Sequence, residues 1–358
     1  MLLRETCGAG IVAALAATML MVSPPAFAQQ NQTGPVPQTD TCTVDPDGTA
    51  HITRVIPVPG TISPEAQKFI SRASPSGPEP TLAERRAHTD EFRIARAAEA
   101  RKLYPVNVES KVIGGVPCDV ITPLKGQRPG RVLINVHGGG FNSDSGSLVE
   151  GVPIANLTHT MVVSVYYRLA PEHPFPAAVD DTVAVYKELL KTYKPERMGL
   201  FGTSAGAILT AEVAVALRRE GLPLPGALGI FSGTGDLSQA GDSQALYSVQ
   251  GLGGRLQPPS QRPHENAYIG TTDPKDPVLS PLYADLRGFP PTLFITSTRD
   301  LLLSGTTILH RAFLRVGVSA QLVVYEALPH AFWYDYHLTE TQEALAIMSK
   351  FFEAKLGR

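Results

Sequence analysis

The sequence of 358 residues predicts an α/β protein with a mostly parallel central sheet that is flanked by helices. From about residue 106 onward, short apolar segments alternate with helical segments, which is the pattern of such a sheet. Hydrophobic residues make up 43% of the chain and charged residues 18%, enough for a substantial core. The formal net charge is −2, so no excess of basic residues favours binding to nucleic acid.

Residues 1–28 have the features of a signal peptide. Arg4 supplies a positive charge, residues 11–22 form an apolar run, and Ala26-Phe27-Ala28 matches the A-x-A cleavage pattern. The apolar run is shorter than the roughly 20 residues that span a bilayer, although a membrane anchor is the alternative interpretation. We therefore expect cleavage near Ala28 and a periplasmic or secreted protein without a stable membrane anchor.

Two of the three cysteines, Cys42 and Cys118, lie after the predicted cleavage site. In an oxidising compartment two cysteines predict one disulfide, and two unpaired thiols are the alternative. The disulfide would connect a flexible N-terminal arm, expected over residues 29–60, to an early strand. The start of this arm is rich in Gln, Thr, Pro and Asp and has few large apolar residues.

Residues 61–105 are predicted to be helical. Pro64-Glu65 starts one helix, and Thr81 and Glu84 have the spacing of a capping box at the start of a second. The second helix is rich in Ala, Glu and Arg.

The alternating region, residues 106–358, is expected to form one domain. Strands are predicted at 106–112, 116–121, 131–136, 161–165, 198–201, 227–231, 292–296 and 321–325, and helices at 177–191, 205–219, 301–316 and 341–355. The first two strands would form a hairpin at Gly114-Gly115. Residues 236–290 contain many Gly and Pro residues and are too long for an ordinary connection. We predict a lid or binding insertion there, with a surface excursion as the alternative.

The most informative motif is G-x-S-x-G, which is present as Gly202-Thr203-Ser204-Ala205-Gly206. It lies between a predicted strand and a predicted helix, as this motif requires. The glycines allow a sharp turn in which the serine hydroxyl projects at the end of the sheet, near the positive end of the next helix. The sequence therefore predicts that Ser204 is a nucleophile.

A serine hydroxyl is a weak nucleophile and needs a base that is oriented by a carboxylate. When a strand–turn–helix carries the serine, the three groups follow in the order serine, acid, histidine. His330 lies after the last predicted strand and before the final helix, so it is the predicted base. Asp300 follows the strand at 292–296 and is the predicted acid, with a helix N-cap as its alternative role.

A glycine-rich segment after the strand at 131–136 is the candidate for oxyanion stabilisation. Bare backbone amides at a strand end can direct N–H groups toward a developing negative charge. We predict an oxyanion hole formed by Gly139, Gly140 and the amide of Ala205, with His137 as a structural hydrogen-bonding residue. A phosphate-binding loop is the alternative, but neither common phosphate-binding glycine motif occurs in the sequence.

With these motifs placed, the sequence resembles the hormone-sensitive-lipase-like family of α/β-hydrolases, the bacterial family IV esterases. The resemblance is carried by HGGGF at 137–141, YRLAPEHPFPAAVDD at 167–181, GTSAG at 202–206, Asp300, and His330 in PHAF. It covers the chain from about residue 106 to the end. The 167–181 segment is highly distinctive.

The resemblance implies the α/β-hydrolase fold with a helical cap built from residues 61–105 and from the 236–290 insertion. It also implies that the 167–181 segment supports the oxyanion loop. The residues assigned to this support are His137, Gly138, Arg168, Glu172 and Asp181.

Two positions depart from the family pattern. The usual DPLxDE acid motif retains only its first aspartate, Asp300, and Ala207 stands where glycine is usual. The first departure concerns the hydrogen bonds around the acid more than the acid itself.

The implied activity is hydrolysis of short-chain carboxylic esters through an acyl-enzyme, with no cofactor. No His or Cys cluster has metal-ligand spacing. A lactonase or an amidase with the same triad is one alternative, and a catalytically inactive binding protein on the same fold is another. The expected partner is a small-molecule ester or lactone, and a homodimer is left open.

Overall fold

The computed structural model describes residues 40–53, 56–71, 80–246 and 267–357. The chain divides into two compact units, Met1–Pro57 and Val58–Arg358. The signal peptide predicted over residues 1–28 lies outside the described residues. Within the described ranges, no helix has the length and apolar character needed to cross a membrane.

In the N-terminal unit, β1 (Thr41–Val44) and β2 (Ala50–Thr53) form an antiparallel hairpin. A turn joins the two strands, and in it the Gly48 amide donates to the Asp45 carbonyl at 2.9 Å. Gly48 has φ +89°, a conformation that glycine adopts without strain. The N-terminal arm predicted over residues 29–60 therefore contains a short hairpin, in which the turn brings the two strands into pairing.

In the larger unit, the described residues form an eight-stranded sheet in the order β10-β9-β8-β7-β5-β6-β4-β3. Its strands are β3 (Val106–Ile113), β4 (Val116–Pro123), β5 (Val132–Val136), β6 (Met161–Val165), β7 (Met198–Thr203), β8 (Ala227–Phe231), β9 (Thr292–Arg299) and β10 (Ala320–Pro329). The β3–β4 and β4–β6 pairs are antiparallel, and the other pairs are parallel. The predicted α/β fold class is confirmed.

Helices cover both faces of this sheet. They are α1 (Pro64–Ile70), α2 (Leu82–Leu103), α3 (Ser147–Thr158), α4 (Ala177–Leu190), α5 (Ala205–Arg219), α6 (Asp242–Leu246), α7 (Leu303–Arg315) and α8 (Thr339–Lys355). The core forms two clusters because side chains alternate along each strand. On β5, Ile134 packs with α4 and α5, and Leu133 packs with α3 and α8.

Both helices predicted within residues 61–105 are present, and their starts follow the expected chemistry. Ser63 Oγ accepts a hydrogen bond from the Ala66 amide at the start of α1. At the start of α2, Thr81 Oγ1 accepts from the Glu84 amide, and the Glu84 carboxylate accepts from the Thr81 amide. This reciprocal pair is the predicted capping box.

Helix α3 is missing from the sequence-based prediction. Gly151 and Pro153 weaken its helical pattern, and almost all of its residues are buried, so it has no polar face to reveal the period. Gly151 is required by packing, because a Cβ there would lie 2.5 Å from Ile121 and 2.7 Å from the Ser164 hydroxyl. Close packing on the sheet therefore compensates for poor intrinsic helix propensity.

The predicted disulfide between Cys42 and Cys118 is wrong, because both cysteines are free. Cys118 lies on β4 with 1% of its surface exposed, and burial raises the pKa of its thiol to about 12. Such a thiol stays protonated and unreactive. Cys42 is exposed on β1 of the other unit. Counting cysteines reveals neither depth nor neighbours, and a disulfide needs both.

The predicted insertion at 236–290 is described in part, since residues 247–266 lie outside the described ranges. Its start contains α6, where Ser243 Oγ donates to the Leu301 carbonyl at 2.7 Å. Its later part contains a short 3₁₀ turn at Pro281–Tyr283. The two parts are joined by a hydrogen bond from the Leu237 amide to Ser280 Oγ at 2.9 Å.

Candidate active site

The predicted site residues lie at the carboxyl ends of neighbouring strands. Ser204 follows β7, the glycine loop follows β5, Asp300 follows β9 and His330 follows β10. Carboxyl ends of parallel strands meet at one edge of a sheet, where open α/β sheets bind their ligands. Strand order therefore gathers residues that are distant in sequence.

Ser204 occupies a sharp turn between β7 and α5. Its φ and ψ are +61° and −122°, a region that non-glycine residues rarely adopt. The flanking glycines make this turn possible, since a Cβ at either Gly202 or Gly206 would collide with the carbonyl oxygen of Val136. The Ser204 amide donates to the Phe231 carbonyl at 3.0 Å, which ties the turn to β8.

Asp300 and His330 form a hydrogen-bonded pair. The His330 Nδ1 lies 2.8 Å from Asp300 Oδ1, and with a carboxylate as its partner this nitrogen donates. Asp300 is completely buried and His330 nearly so. The Leu302 amide also donates to Asp300 Oδ1 at 2.9 Å, so the carboxylate holds the loop before α7 as well as the imidazole.

The second oxygen of Asp300 is held by two hydroxyl groups. Ser232 Oγ and Thr296 Oγ1 both donate to Asp300 Oδ2, the latter at 2.8 Å. Burial by itself would raise the pKa of Asp300, but the charge of His330 and the hydrogen bonds from His330, Ser232 and the Leu302 amide hold it below its ordinary value. The carboxyl group is therefore ionised at neutral pH.

His330 reaches this position through an irregularity in β10. Tyr325 pairs with Ser297 and Pro329 pairs with Arg299, so β10 advances four residues while β9 advances two. Within this bulge Ala327 has φ +54°. The extra residues bend the edge strand as it approaches the imidazole.

Among the described residues, no hydrogen bond joins Ser204 Oγ to His330. Hydrogen bonds between catalytic groups are often long without substrate and shorten when it binds. Because Asp300 engages Nδ1, Nε2 is the nitrogen of His330 that is available to accept a proton.

The predicted oxyanion loop, residues 137–142, contains two glycines in left-handed conformations. Gly139 has φ +116° and Gly140 has φ +63°, and a Cβ at Gly139 would overlap the Ser143 carbonyl. In the part of the chain that the structure describes, the amides of Gly139, Gly140 and Ala205 donate no backbone hydrogen bond. They are therefore available to a ligand.

His137, the first residue of this loop, is fixed by buried contacts. It is buried, its Nδ1 lies 2.8 Å from the Gly138 carbonyl, and its ring stacks on Tyr167 with centroids 4.1 Å apart. Tyr167 donates its hydroxyl to the His137 carbonyl at 2.6 Å. A Cβ at Gly138 would lie 2.9 Å from the Thr203 carbonyl, so the loop packs directly on the Ser204 turn.

Three charged residues of the 167–181 segment have charged partners. Arg168 donates from its backbone amide and its guanidinium to Asp181, at 2.8 to 3.0 Å. Glu172 pairs with Arg86 of α2. These contacts fold the segment on itself and connect it to α2.

Several residues that contact the site were missed from sequence. Ser232 and Thr296 hold Asp300, and Trp333 Nε1 donates to Thr203 Oγ1 at 3.0 Å. One signal could have revealed Ser232, since it follows β8, the strand that lies between those preceding Ser204 and Asp300.

Glu150 of α3 is a buried carboxyl beside the Ser204 turn. It accepts hydrogen bonds from the Tyr334 hydroxyl and from Asn135 Nδ2, the latter at 3.1 Å. Burial raises the pKa of Glu150 to about 7, although hydrogen bonds from Tyr334, Thr203 and Asn135 oppose this effect. Glu150 therefore titrates near neutral pH.

No group of three or more His, Cys, Asp or Glu side chains that could hold a metal ion occurs within the described ranges. The groups that lie together at the sheet edge are a serine hydroxyl, an imidazole with its carboxylate, and backbone amides.

Comparison with known proteins identifies the family of this chain. A model of the alpha/beta hydrolase fold matches residues 133–334. An acetyl-hydrolase from Streptomyces hygroscopicus is 33% identical over 260 residues, which cover 68% of this chain and 85% of that protein. The crystal structure of an esterase, E25, is 34% identical, covers 85% of this chain and 98% of its own, and has a TM-score of 0.71.

A further crystal structure is that of an esterase from the bacterial hormone-sensitive lipase family. It is 32% identical, covers 82% of this chain and 99% of its own, and has a TM-score of 0.69. The chain therefore belongs to the α/β-hydrolase fold family. Within that family it is a hydrolase of the hormone-sensitive-lipase-like esterase group, as the sequence motifs predicted.

Proposed function

We propose that this protein is a serine carboxylic-ester hydrolase that works through an acyl-enzyme, with Ser204 as nucleophile, His330 as base and Asp300 as its orienting acid. The observation that carries the proposal is the buried Asp300–His330 hydrogen bond of 2.8 Å at the sheet edge that also presents Ser204. A nucleophile, a base and an orienting carboxylate are the three parts that this chemistry needs.

The proposed reaction has two halves. Ser204 Oγ attacks the ester carbonyl carbon while His330 Nε2 takes the hydroxyl proton, and the same proton then passes to the departing alcohol. Water next attacks the acyl-enzyme and gives a proton to His330, which returns it to Ser204 as the carboxylic acid leaves. The ionised Asp300 stabilises the imidazolium that forms in each half.

The tetrahedral intermediate in each half carries a negative oxygen. We assign its stabilisation to the amides of Gly139, Gly140 and Ala205, which donate no backbone hydrogen bond within the described chain. Preorganised donors of this kind cost no reorganisation during the reaction. The collision that a side chain at position 139 would cause explains why a glycine stands there.

A serine-reactive phosphonate probe tests the assignment of Ser204. Mass spectrometry should locate the label on the peptide that contains Ser204, and Ser204→Ala should lose the label and roughly 10⁴-fold or more of kcat. Ser319→Ala, an exposed serine, is the matched control and should keep both. A label elsewhere, or normal turnover by Ser204→Ala, would refute the proposal.

We propose short acyl chains, of about two to six carbons, as the preferred substrates. Each methylene that enters an apolar pocket gains about 0.8 kcal/mol until the pocket is full, and overfilling then costs about 1–3 kcal/mol. An acetyl-hydrolase is among the relatives. The Phe141 ring of the oxyanion loop stacks on Tyr268 of the insertion, which fixes one aromatic wall beside the loop.

Specificity constants for p-nitrophenyl esters from acetate to palmitate test the chain-length proposal. We expect a maximum at short chains and no activation by an oil–water interface. A maximum at about ten carbons or longer would show that the pocket has no closed end.

Export is proposed on sequence grounds alone. Arg4, the apolar run at 11–22 and Ala26-Phe27-Ala28 support it. N-terminal sequencing of the protein from culture should give a mature chain that begins at Gln29, and an intact N-terminus at Met1 would refute cleavage.

A further inference from the structure

One arginine of α2 contacts two separate segments next to the proposed oxyanion hole. Arg86 Nε donates to the Asn142 carbonyl at 2.7 Å, and its Nη2 donates to the Ala170 carbonyl at 3.0 Å. The same guanidinium forms a two-pronged pair with the Glu172 carboxylate, with both distances at 2.7 Å. A single planar group therefore makes four hydrogen bonds.

The two carbonyls that Arg86 binds belong to two segments, the oxyanion loop and the 167–181 segment, which a backbone hydrogen bond joins. The Asn142 amide donates back to Gly139, which closes the oxyanion loop, and the Ala170 amide donates to the Phe141 carbonyl at 2.8 Å. Arg86 therefore holds the oxyanion loop and the 167–181 segment together where the Phe141–Ala170 bond joins them.

The ion pair by itself explains little of this arrangement. About 30% of the Arg86 side chain and 52% of the Glu172 side chain are exposed, and exposed pairs contribute little to stability. The hydrogen bond from Arg86 lowers the pKa of Glu172 to about 2, so the carboxylate is charged. Its two hydrogen bonds fix the orientation of the guanidinium plane. The two carbonyl bonds are the contacts that fix the loop.

A second arginine on the same helix face lies close to Asp144, just beyond the loop. Arg93 lies seven residues after Arg86, two turns along α2, and its Nε is 3.5 Å from Asp144. Asp144 accepts from the amides of Gly146 and Ser147 at 3.0 Å each and lies 3.6 Å from His137 Nδ1. Helix α2 therefore contacts the chain at the C-terminal side of the oxyanion loop at two points, Asn142 and Asp144.

We propose that Arg86 is a positioning residue for the oxyanion hole, so that the docking of α2 sets the geometry of the Gly139 and Gly140 amides. The inference rests on the proposed function. Oxyanion contacts form in the transition state, so a displaced loop lowers kcat and leaves KM nearly unchanged. A misplacement of about 1 Å costs up to roughly 100-fold, and we expect a kcat loss of roughly 10- to 100-fold without Arg86.

Three substitutions on α2 separate positioning from charge. Arg86→Met keeps the length of the side chain and removes every donor. Arg86→Lys keeps a charge for Glu172 but cannot reach both carbonyls with one ammonium group. Arg85→Met, an exposed neighbour, is the matched control. The readouts are kcat and KM per phosphonate-titrated site, the Kd of a trifluoromethyl ketone that mimics the tetrahedral intermediate, and Tm.

We expect Arg86→Met and Arg86→Lys both to lose kcat and to bind the ketone more weakly by a similar factor, with KM unchanged, and Arg85→Met to match the native protein. Guanidinium ion at sub-denaturing concentration should restore kcat to Arg86→Ala, since the site is partly open to solvent.

Unchanged kcat per titrated site in Arg86→Met would overturn the inference, as would full activity in Arg86→Lys or a loss confined to Tm. Failure of the proposed function is distinct, because the native protein would then take up no phosphonate at Ser204.

Discussion

Trp333 Nε1 donates a 3.0 Å hydrogen bond to Thr203 Oγ1, and this bond joins the segment that follows His330 to the residue directly before Ser204. Both side chains are buried. The segments that carry the proposed base and nucleophile are thus joined by a side-chain contact. No hydrogen bond links the two groups themselves in the described structure.

Trp333→Phe should lower the free energy of unfolding by about 1–3 kcal/mol, because it leaves the buried Thr203 hydroxyl without this donor. It should also lower kcat, since the two segments lose their direct tie. Urea unfolding and ester kinetics measure these effects. Thr203→Val completes a double-mutant cycle, and strictly additive losses would contradict a coupling between the two residues.

Ser232→Ala should remove one of the hydrogen bonds that stabilise the ionised Asp300, the residue that orients His330. Hydrogen bonds to charged groups contribute about 1.5–3 kcal/mol, and loss of this one lets burial raise the pKa of Asp300 toward its ordinary value. Asp300 should then take up a proton at higher pH, so the loss of activity that its protonation causes should begin at higher pH. Ser232→Gly is the matched variant, because Ser232 has φ +53°, which glycine adopts without strain. If both variants keep the native profile, Ser232 does not tune Asp300.

Glu150→Gln should change how stability depends on pH. The pKa of Glu150 is about 7 in the folded protein against 4.5 as its ordinary value, so the folded state binds the proton more tightly. Its stabilising contribution is complete below pH 4.5 and is lost as pH rises to about 7. The whole change is at most about 3–4 kcal/mol. Urea unfolding between pH 4.5 and 8 should show a fall in the native protein that Glu150→Gln lacks.

Glu91→Gln is the control for this experiment, because Glu91 is exposed on α2. It should reproduce the native dependence of stability on pH. Parallel curves for the native protein and Glu150→Gln would show that Glu150 stays ionised in the fold.

Gly206→Ala should abolish activity and strongly destabilise the protein, since the added Cβ would collide with the Val136 carbonyl beneath the Ser204 turn. Backbone, unlike a flexible side chain, cannot move aside cheaply. Gly60→Ala is the control, because a Cβ there meets nothing within 4 Å. Thermal unfolding and turnover measure both variants. A stable, active Gly206→Ala protein would mean that the turn is wider than described.

Local chemistry made much of the fold predictable. The capping box of Thr81 and Glu84, the Gly114-Gly115 hairpin and the strand–turn–helix around Ser204 each depend on residues that are close in sequence. Helix α3 escaped prediction because Gly151 and Pro153 argue against a helix, and packing against β4 and β6 explains the glycine.

Partners from distant parts of the chain were harder to predict. The order serine, acid, histidine indicated Asp300 and His330, but nothing local to Ser232, Trp333 or Arg86 points to their contacts. The predicted Cys42–Cys118 disulfide was wrong for the same reason, since a count of cysteines carries no information on depth or distance.

The position of His330 depends on the number of residues in the β10 bulge. Between the pairs Tyr325–Ser297 and Pro329–Arg299 the edge strand holds two residues more than its neighbour. Deleting one residue there would turn the later side chains of the strand to the opposite face, and deleting two would draw His330 back by about 6.6 Å. Surface segments usually tolerate insertions and deletions better than they tolerate changes at a functional residue. In this edge strand many substitutions should be neutral, whereas a change in the number of residues should abolish activity while leaving the fold intact.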